Sequence, residues 1–307
     1  MKQTYWKILK NIFKVLVTLG AIYWVSGKIS FSELKETLMD CNPIFLVVAL
    51  CTYALSQVVA SSRLNSFFKC IGLQLTERYN LRLYQLGLLY NFFLPGGIGG
   101  DGYKIYFLKK NFDVSGRKVL SAVFFDRLSG LWALGIVIGC LVIFMPRLAI
   151  PNTLTIAAML IGTATYYYFL RSFFSPFSKK FLVTHGKAIL VQGLQSLTAV
   201  WILYAMNFDG KFSPYLLIFM LSSLVAIIPS IGGGLGLRES LIAFGAVYFK
   251  LDEHLAVLVS LLFYFISLLV ASSGLYYFFR PQRLGVDKMP KPTDIEQELE
   301  KTTLEEN

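Results

Sequence analysis

Two stretches of the sequence combine chain-breaking residues with buried-type charge. In the first, Asn91 and Pro95 lead into a run with Gly97 and Gly100, followed by Asp101 and Lys104. In the second, Pro229 leads into a run with Gly233 and Gly234, followed by Arg238 and Glu239. A helix that restarts after glycine presents unpaired N–H groups, which favour an anion. An adjacent ammonium such as that of Lys104 adds charge-assisted contacts to phosphate oxygens. Asp101 can equally cap the restarting helix itself, and Arg238 with Glu239 can form a cap or an internal ion pair. A third group, Asp126-Arg127, sits inside the apolar run Val119–Met145, about 8 residues or ~12 Å from its start. Charges at such depth cost about 2.5–3.5 kcal/mol each, so they face the protein interior and need partners. Neighbours on a helix point about 100° apart, so the two pair elsewhere. Asp101 and Glu239 are the candidate partners, and snorkelling of Arg127 to the inner surface is the alternative.

Other chemistry has less support. The glycine runs follow no strand, which argues against dinucleotide and P-loop readings. His185 and His254 are too few and too separate for a metal site, so no metal and no cofactor is expected. The four cysteines, Cys41, Cys51, Cys70 and Cys140, form no C-x-x-C pair and read as inert thiols. No His or Cys stands beside Asp101, Asp126 or Glu239 to complete a nucleophile and base. The sequence therefore leans away from an enzyme.

These residues are carried by a chain of 307 residues that is 55% hydrophobic and 15% charged, against about 25% charged in soluble domains. The apolar runs Ile44–Ser62, Val119–Met145, Leu154–Leu170, Ala188–Met206, Tyr215–Ile228 and Leu255–Phe279 are long and nearly uncharged. Several approach the ~20 residues that a helix needs to cross ~30 Å of hydrocarbon. That excludes a soluble enzyme, a disordered chain and a secreted disulfide scaffold. The class is an all-α polytopic integral membrane protein. The net charge of +11 does not signal nucleic acid, because the basic residues sit at the ends of apolar runs.

Lys2, Lys7, Lys10 and Lys14 precede a first apolar stretch, Val15–Val25, which lacks a small-x-small cleavage site and reads as a retained span. Lys and Arg then concentrate on one side, including Arg63, Lys69, Lys109, Lys110, Arg171, Lys179, Lys180 and Arg280. By the positive-inside rule that side is cytoplasmic, with both termini on it. The assignment requires Leu83–Leu108 to enter from the cytoplasm and return, and the segment around Pro229 to do the same from outside. Proline and glycine cost a helix about 3 and 1 kcal/mol per residue. Broken backbone at membrane depth survives only against protein or a water-filled cavity. The expected architecture is about eight membrane segments in two inverted repeats, each with a Gly/Pro-broken re-entrant helix. Repeat one covers about 5–148 and repeat two about 149–285 of a membrane domain at 1–285; residues 286–307 form an acidic, disordered cytoplasmic tail. Eight ordinary spans, two of them kinked, is the alternative. Paired breaks in corresponding positions point to a transporter with its site between them. Gly135-x-x-x-Gly139 needs only close helix packing as an explanation.

The motifs Asn91-x-x-x-Pro95-Gly-Gly-x-Gly-Gly-Asp101-x-x-Lys104, Phe125-Asp126-Arg127 with Gly130, and Pro229-x-x-Gly-Gly-Gly-x-Gly-x-x-Glu239 together resemble the lysylphosphatidylglycerol synthase transmembrane region family. The resemblance extends over roughly residues 5–285. It departs at Lys104, where the family usually has arginine, which loses bidentate phosphate gripping. It implies a flippase-like domain that moves aminoacylated phosphatidylglycerol between leaflets. In larger relatives a separate cytosolic domain transfers lysine to the lipid; this sequence ends soon after its last span, and that domain is expected to be absent. The expected function is translocation of an anionic or aminoacylated phospholipid, or a polyprenyl-linked lipid, across the cell (inner or plasma) membrane. The substrate-binding set is the thirteen residues Asn91, Pro95, Gly97, Gly100, Asp101, Lys104, Asp126, Arg127, Pro229, Gly233, Gly234, Arg238 and Glu239. The alternatives are a phosphatidylglycerol lysyltransferase-type enzyme, or the membrane subunit of one with a soluble transferase partner.

Overall fold

The computed structural model describes residues 39–93, 99–112, 114–145, 148–225 and 237–285. The first expected span, Pro95, Gly97, Pro229, Gly233, Gly234 and the acidic tail lie outside them. Among the described residues the structure is helical without a strand. The helices are α1 (Pro43–Cys70), α2 (Glu77–Phe93), α3 (Gly99–Asn111), α4 (Gly116–Ile143), α5 (Asn152–Phe173), α6 (Ser175–Ser178) and α7 (Phe181–Ala205). They continue as α8 (Phe212–Val225), α9 (Leu237–Phe249), α10 (Glu253–Ser272) and α11 (Leu275–Phe279), then a 3₁₀ turn, Pro281–Leu284.

Among the described residues, five segments are long and apolar enough to cross a membrane: α1, α4, α5, α7 and the stretch Glu253–Phe279. They coincide with five of the apolar runs. Helix α1 runs on to Cys70, past Ser62 where the apolar run ends, and α7 begins at Phe181, before Lys187. The first extension carries Arg63, Asn65 and Ser66 and the second Thr184, His185 and Lys187, whose side chains hydrogen-bond within the protein. The helices on either side of the glycine runs are shorter. Helices α2 and α3 have 17 and 13 residues, α8 and α9 have 14 and 13. None reaches the ~20 residues of a full crossing. Helices α3 and α9 have the same length, and each carries an acid as its third residue, Asp101 and Glu239.

The chain divides into two compact units. One comprises, of the described residues, those in 54–90, 99–193 and 271–285. Its core includes Phe67, Leu83, Tyr103, Phe107 and Phe125, all nearly or fully buried. Phe125 packs at 4.7 Å on both Phe174 and Phe177, fastening α4 to the short α6 turn. Tyr79 donates to the carbonyl of Leu284 and Arg82 to that of Arg283, tying the start of α2 to the last turn. The other unit comprises, of the described residues, 39–53, 91–93, 194–225 and 237–270. There the Asn42 amide donates to the Ala205 carbonyl, and Phe45 stacks on Trp201 and Tyr204. Phe263 receives the edges of Tyr53 and Phe219.

Candidate functional site

Within the first unit, five charged side chains from three helices form one cluster. On α4, Asp126 and Arg127 diverge as the helical angle dictates. Asp126 turns to α1, where Arg63 donates from Nε to Oδ1 at 2.7 Å and from Nη2 to Oδ2 at 3.0 Å. This is a planar two-bond pair, the strongest geometry available to a carboxylate. Arg127 turns to α3, where its Nε donates to Oδ2 of Asp101. The other carboxylate oxygen of Asp101 accepts from Lys104 Nζ at 3.0 Å, one turn along the same helix. Lys104 Nζ also lies 4.6 Å from the centroid of the Tyr84 ring on α2. Asp101, Lys104, Asp126 and Arg63 are all under 9% exposed. Arg127 keeps 52% of its side-chain surface accessible. The formal charge of the five is +1.

Small residues make room for this cluster. A Cβ on Gly87 of α2 would lie 2.6 Å from Lys104 Cε and 3.3 Å from the Gly100 carbonyl oxygen. A Cβ on Gly130, one turn after Asp126, would lie 3.3 Å from an Arg63 nitrogen. The layer is extended by polar contacts from α7: Lys187 Nζ donates to the Ser62 carbonyl, Ser62 Oγ and Ser66 Oγ, and Gln192 donates to the Gly130 carbonyl. Sequence reasoning placed Arg63 on a cytoplasmic flank. The signal that could have moved Arg63 inward was the demand of Asp126 for a cation.

In the second unit, Arg238 and Glu239 also diverge. Glu239 is 1% exposed and accepts from Ser260 Oγ at 2.8 Å. Arg238 donates from Nε to Ser222 Oγ at 3.1 Å, and its guanidinium stands over the rings of Phe219 at 4.3 Å and Phe263 at 4.9 Å. Its Nη2 is buried without a hydrogen-bond partner among the described residues. A guanidinium set against two aromatic rings gains cation–π attraction, while a buried unused donor costs about 1–3 kcal/mol. Asn91 closes the last turn of α2, and Gly100 is buried at the start of α3.

His185 is buried but belongs to an aromatic setting. Its ring stacks at 3.8 Å on Phe181 and meets the edge of Trp132, and its nitrogens bond the Phe181 carbonyl, Thr184 Oγ1 and Tyr166 Oη. No group of three His, Cys, Asp or Glu able to hold a metal occurs among the described residues.

The family model described as "Lysylphosphatidylglycerol synthase TM region" matches residues 11–187. The chain belongs to that family. The match takes in the first glycine run, Asp101, Lys104, Asp126 and Arg127, and it stops short of Arg238 and Glu239. No curated protein matches the chain. As a member of the lysylphosphatidylglycerol synthase membrane-region family, it is a multi-pass membrane protein of lipid metabolism or translocation.

Proposed function

We propose that this protein moves a lipid with an anionic or aminoacylated phosphate headgroup, or a polyprenyl-linked one, from one leaflet of the plasma membrane to the other. The observation that carries the reading is the α1–α3–α4 cluster: two cations share Asp101, the five charges sum to +1, and Arg127 keeps half its side chain accessible. In this reading the phosphate meets Arg127 and Lys104, Asp101 meets the ammonium of an aminoacyl group, and the acyl chains stay in the bilayer. Arg238, with its unused buried donor, provides a second anion contact. The matched short helices, each restarting with an acid at its third position, support two inverted repeats of re-entrant helices. Both termini then lie in the cytoplasm, and a soluble transferase is the partner class that would supply an aminoacylated lipid.

The test is reconstitution in liposomes with fluorescent phosphatidylglycerol, its lysyl ester, phosphatidylethanolamine and a polyprenyl phosphate, read by dithionite quenching. Movement of one lipid class that Arg127→Ala and Glu239→Ala abolish, at unchanged protein recovery, supports the reading. Unchanged transport in both variants overturns the site. Absence of movement with every lipid overturns the translocase in favour of a membrane subunit that serves a partner enzyme.

A further inference from the structure

The unit that contains the charge cluster also contains a cleft of about 1130 Å³, built from other residues. Helix α5 supplies its wall at Met159, Leu160, Thr163, Ala164, Tyr167 and Arg171. That spacing of three and four marks one helix face. The facing wall is apolar, with Ile136 of α4 and Leu182 and Val183 of α7. Arg171, in the last turn of α5, and Lys179 and Lys180, just before α7, line it with the hydroxyls of Ser175 and Ser178, and among the described residues no carboxylate lines the cleft. From Met159 to Arg171 the helix rises about 18 Å at 1.5 Å per residue. Half of a ~30 Å hydrocarbon core is about 15 Å. The cleft thus has the length of one leaflet, cations where a span meets water, and an apolar channel below them.

We propose that this cleft is a resident site for one anionic phospholipid. Its phosphodiester is held by Arg171, Lys179 and Lys180, and an acyl chain lies along Leu160, Ala164 and Val183. The missing carboxylate sets the selectivity. A zwitterionic lipid brings an ammonium that meets only like charge here, whereas phosphatidylglycerol brings none. The site shares no residue with the Asp101–Arg127 cluster, so it stands or falls independently of the translocation reading.

The experiment uses the full chain, purified in mild detergent with equal phosphatidylglycerol and phosphatidylcholine, and counts retained lipids by mass spectrometry of the intact complex. Two variants accompany it: Arg171→Gln with Lys179→Gln and Lys180→Gln, and Ala164→Trp, which fills the channel but keeps every charge. Arg171, Lys179 and Ala164 are exposed and Lys180 is half-buried, so neither variant opens the core. Wild type is expected to hold one phosphatidylglycerol. Affinity should fall on the order of 100-fold in the triple variant, at about fivefold for each near-surface cation. The lipid should also be lost in Ala164→Trp and stay in place against excess inorganic phosphate. Equal retention of phosphatidylcholine, or unchanged retention in either variant, overturns the proposal. Displacement by inorganic phosphate also overturns it, leaving a phosphate patch without an acyl channel.

Discussion

Replacing Asp126 by alanine removes one half of a pair that holds α1 against α4. At a separation of 2.7 Å and an effective dielectric of 20, the Coulomb attraction of Arg63 and Asp126 is about 6 kcal/mol. Both side chains are about nine-tenths buried, so much of that attraction offsets their desolvation. Removing the acid alone leaves a buried guanidinium uncompensated, at a cost of about 3–5 kcal/mol. The double variant Arg63→Met/Asp126→Leu removes both charges and keeps the volume, and should recover most of the loss. At about 2–4 °C per kcal/mol, the single variant should melt about 6–20 °C below wild type, and the double variant within a few degrees of it. The assay is thermal unfolding of purified protein in detergent, followed by tryptophan fluorescence and analysed as a double-mutant cycle. A single variant that melts with wild type, or a double variant as unstable as the single, would refute the claim that this pair positions α4.

Other substitutions separate function from packing. Gly87→Ala should impair lipid transport with a small change in melting, because its Cβ displaces chiefly the flexible Lys104 side chain, 2.6 Å away, asks the Gly100 carbonyl oxygen at 3.3 Å for only a small shift, and a helical alanine gains up to ~1 kcal/mol; transport at the wild-type rate would count against Lys104. Gly274→Ala should instead destabilise by about 1–3 kcal/mol, since its Cβ would lie 2.5 Å from the Gln85 carbonyl oxygen and 2.9 Å from Leu89 Cβ, neither of which can swing away; an unaltered melting curve would disprove that close approach. Membrane-impermeant maleimide on intact membranes should leave Cys51 and Cys140 unlabelled, although both are exposed, because they lie in spans and face lipid. Cys41, outside the spans, should label slowly at pH 7 and faster at pH 9. Burial, then the charge of Asp40, pushes its thiol up, and only the thiolate reacts. Rapid labelling of Cys51 would contradict the lipid-facing assignment.

The long spans were legible in the sequence because hydrocarbon imposes a length and a composition that few other constraints share. The reach of α1 was not. Hydropathy ends the run at Ser62, yet the helix continues for two more turns. There Arg63 finds Asp126, Asn65 donates to the Leu75 carbonyl, and Lys69 pairs with Glu77. Each of those partners is distant in sequence or sits beyond a turn, where no periodicity announces it. The candidate site was readable as residue types: mid-membrane charge required partners and glycine runs required breaks. Its wiring was not readable, because which acid meets which cation depends on helix rotation. Arg238 shows the same limit. Its charge was plain, but nothing in the sequence announced the aromatic faces of Phe219 and Phe263 around it.

The two adjacent charges of α4 also fix its register against α1 and α3. With 28 residues, α4 is about 42 Å long, some 12 Å more than the hydrocarbon it has to cross. Hydropathy alone therefore leaves it free to slide by about two turns. A slip of a single residue would move both charges 1.5 Å and swing them by 100°. Asp126 would then turn away from α1 and Arg127 from α3 together. The pairs act as a key in a slot: they remove the slack that an overlong apolar segment allows, in translation and rotation at once. Lengthening or trimming the ends of α4 should for this reason be tolerated far better than inserting one residue before Asp126.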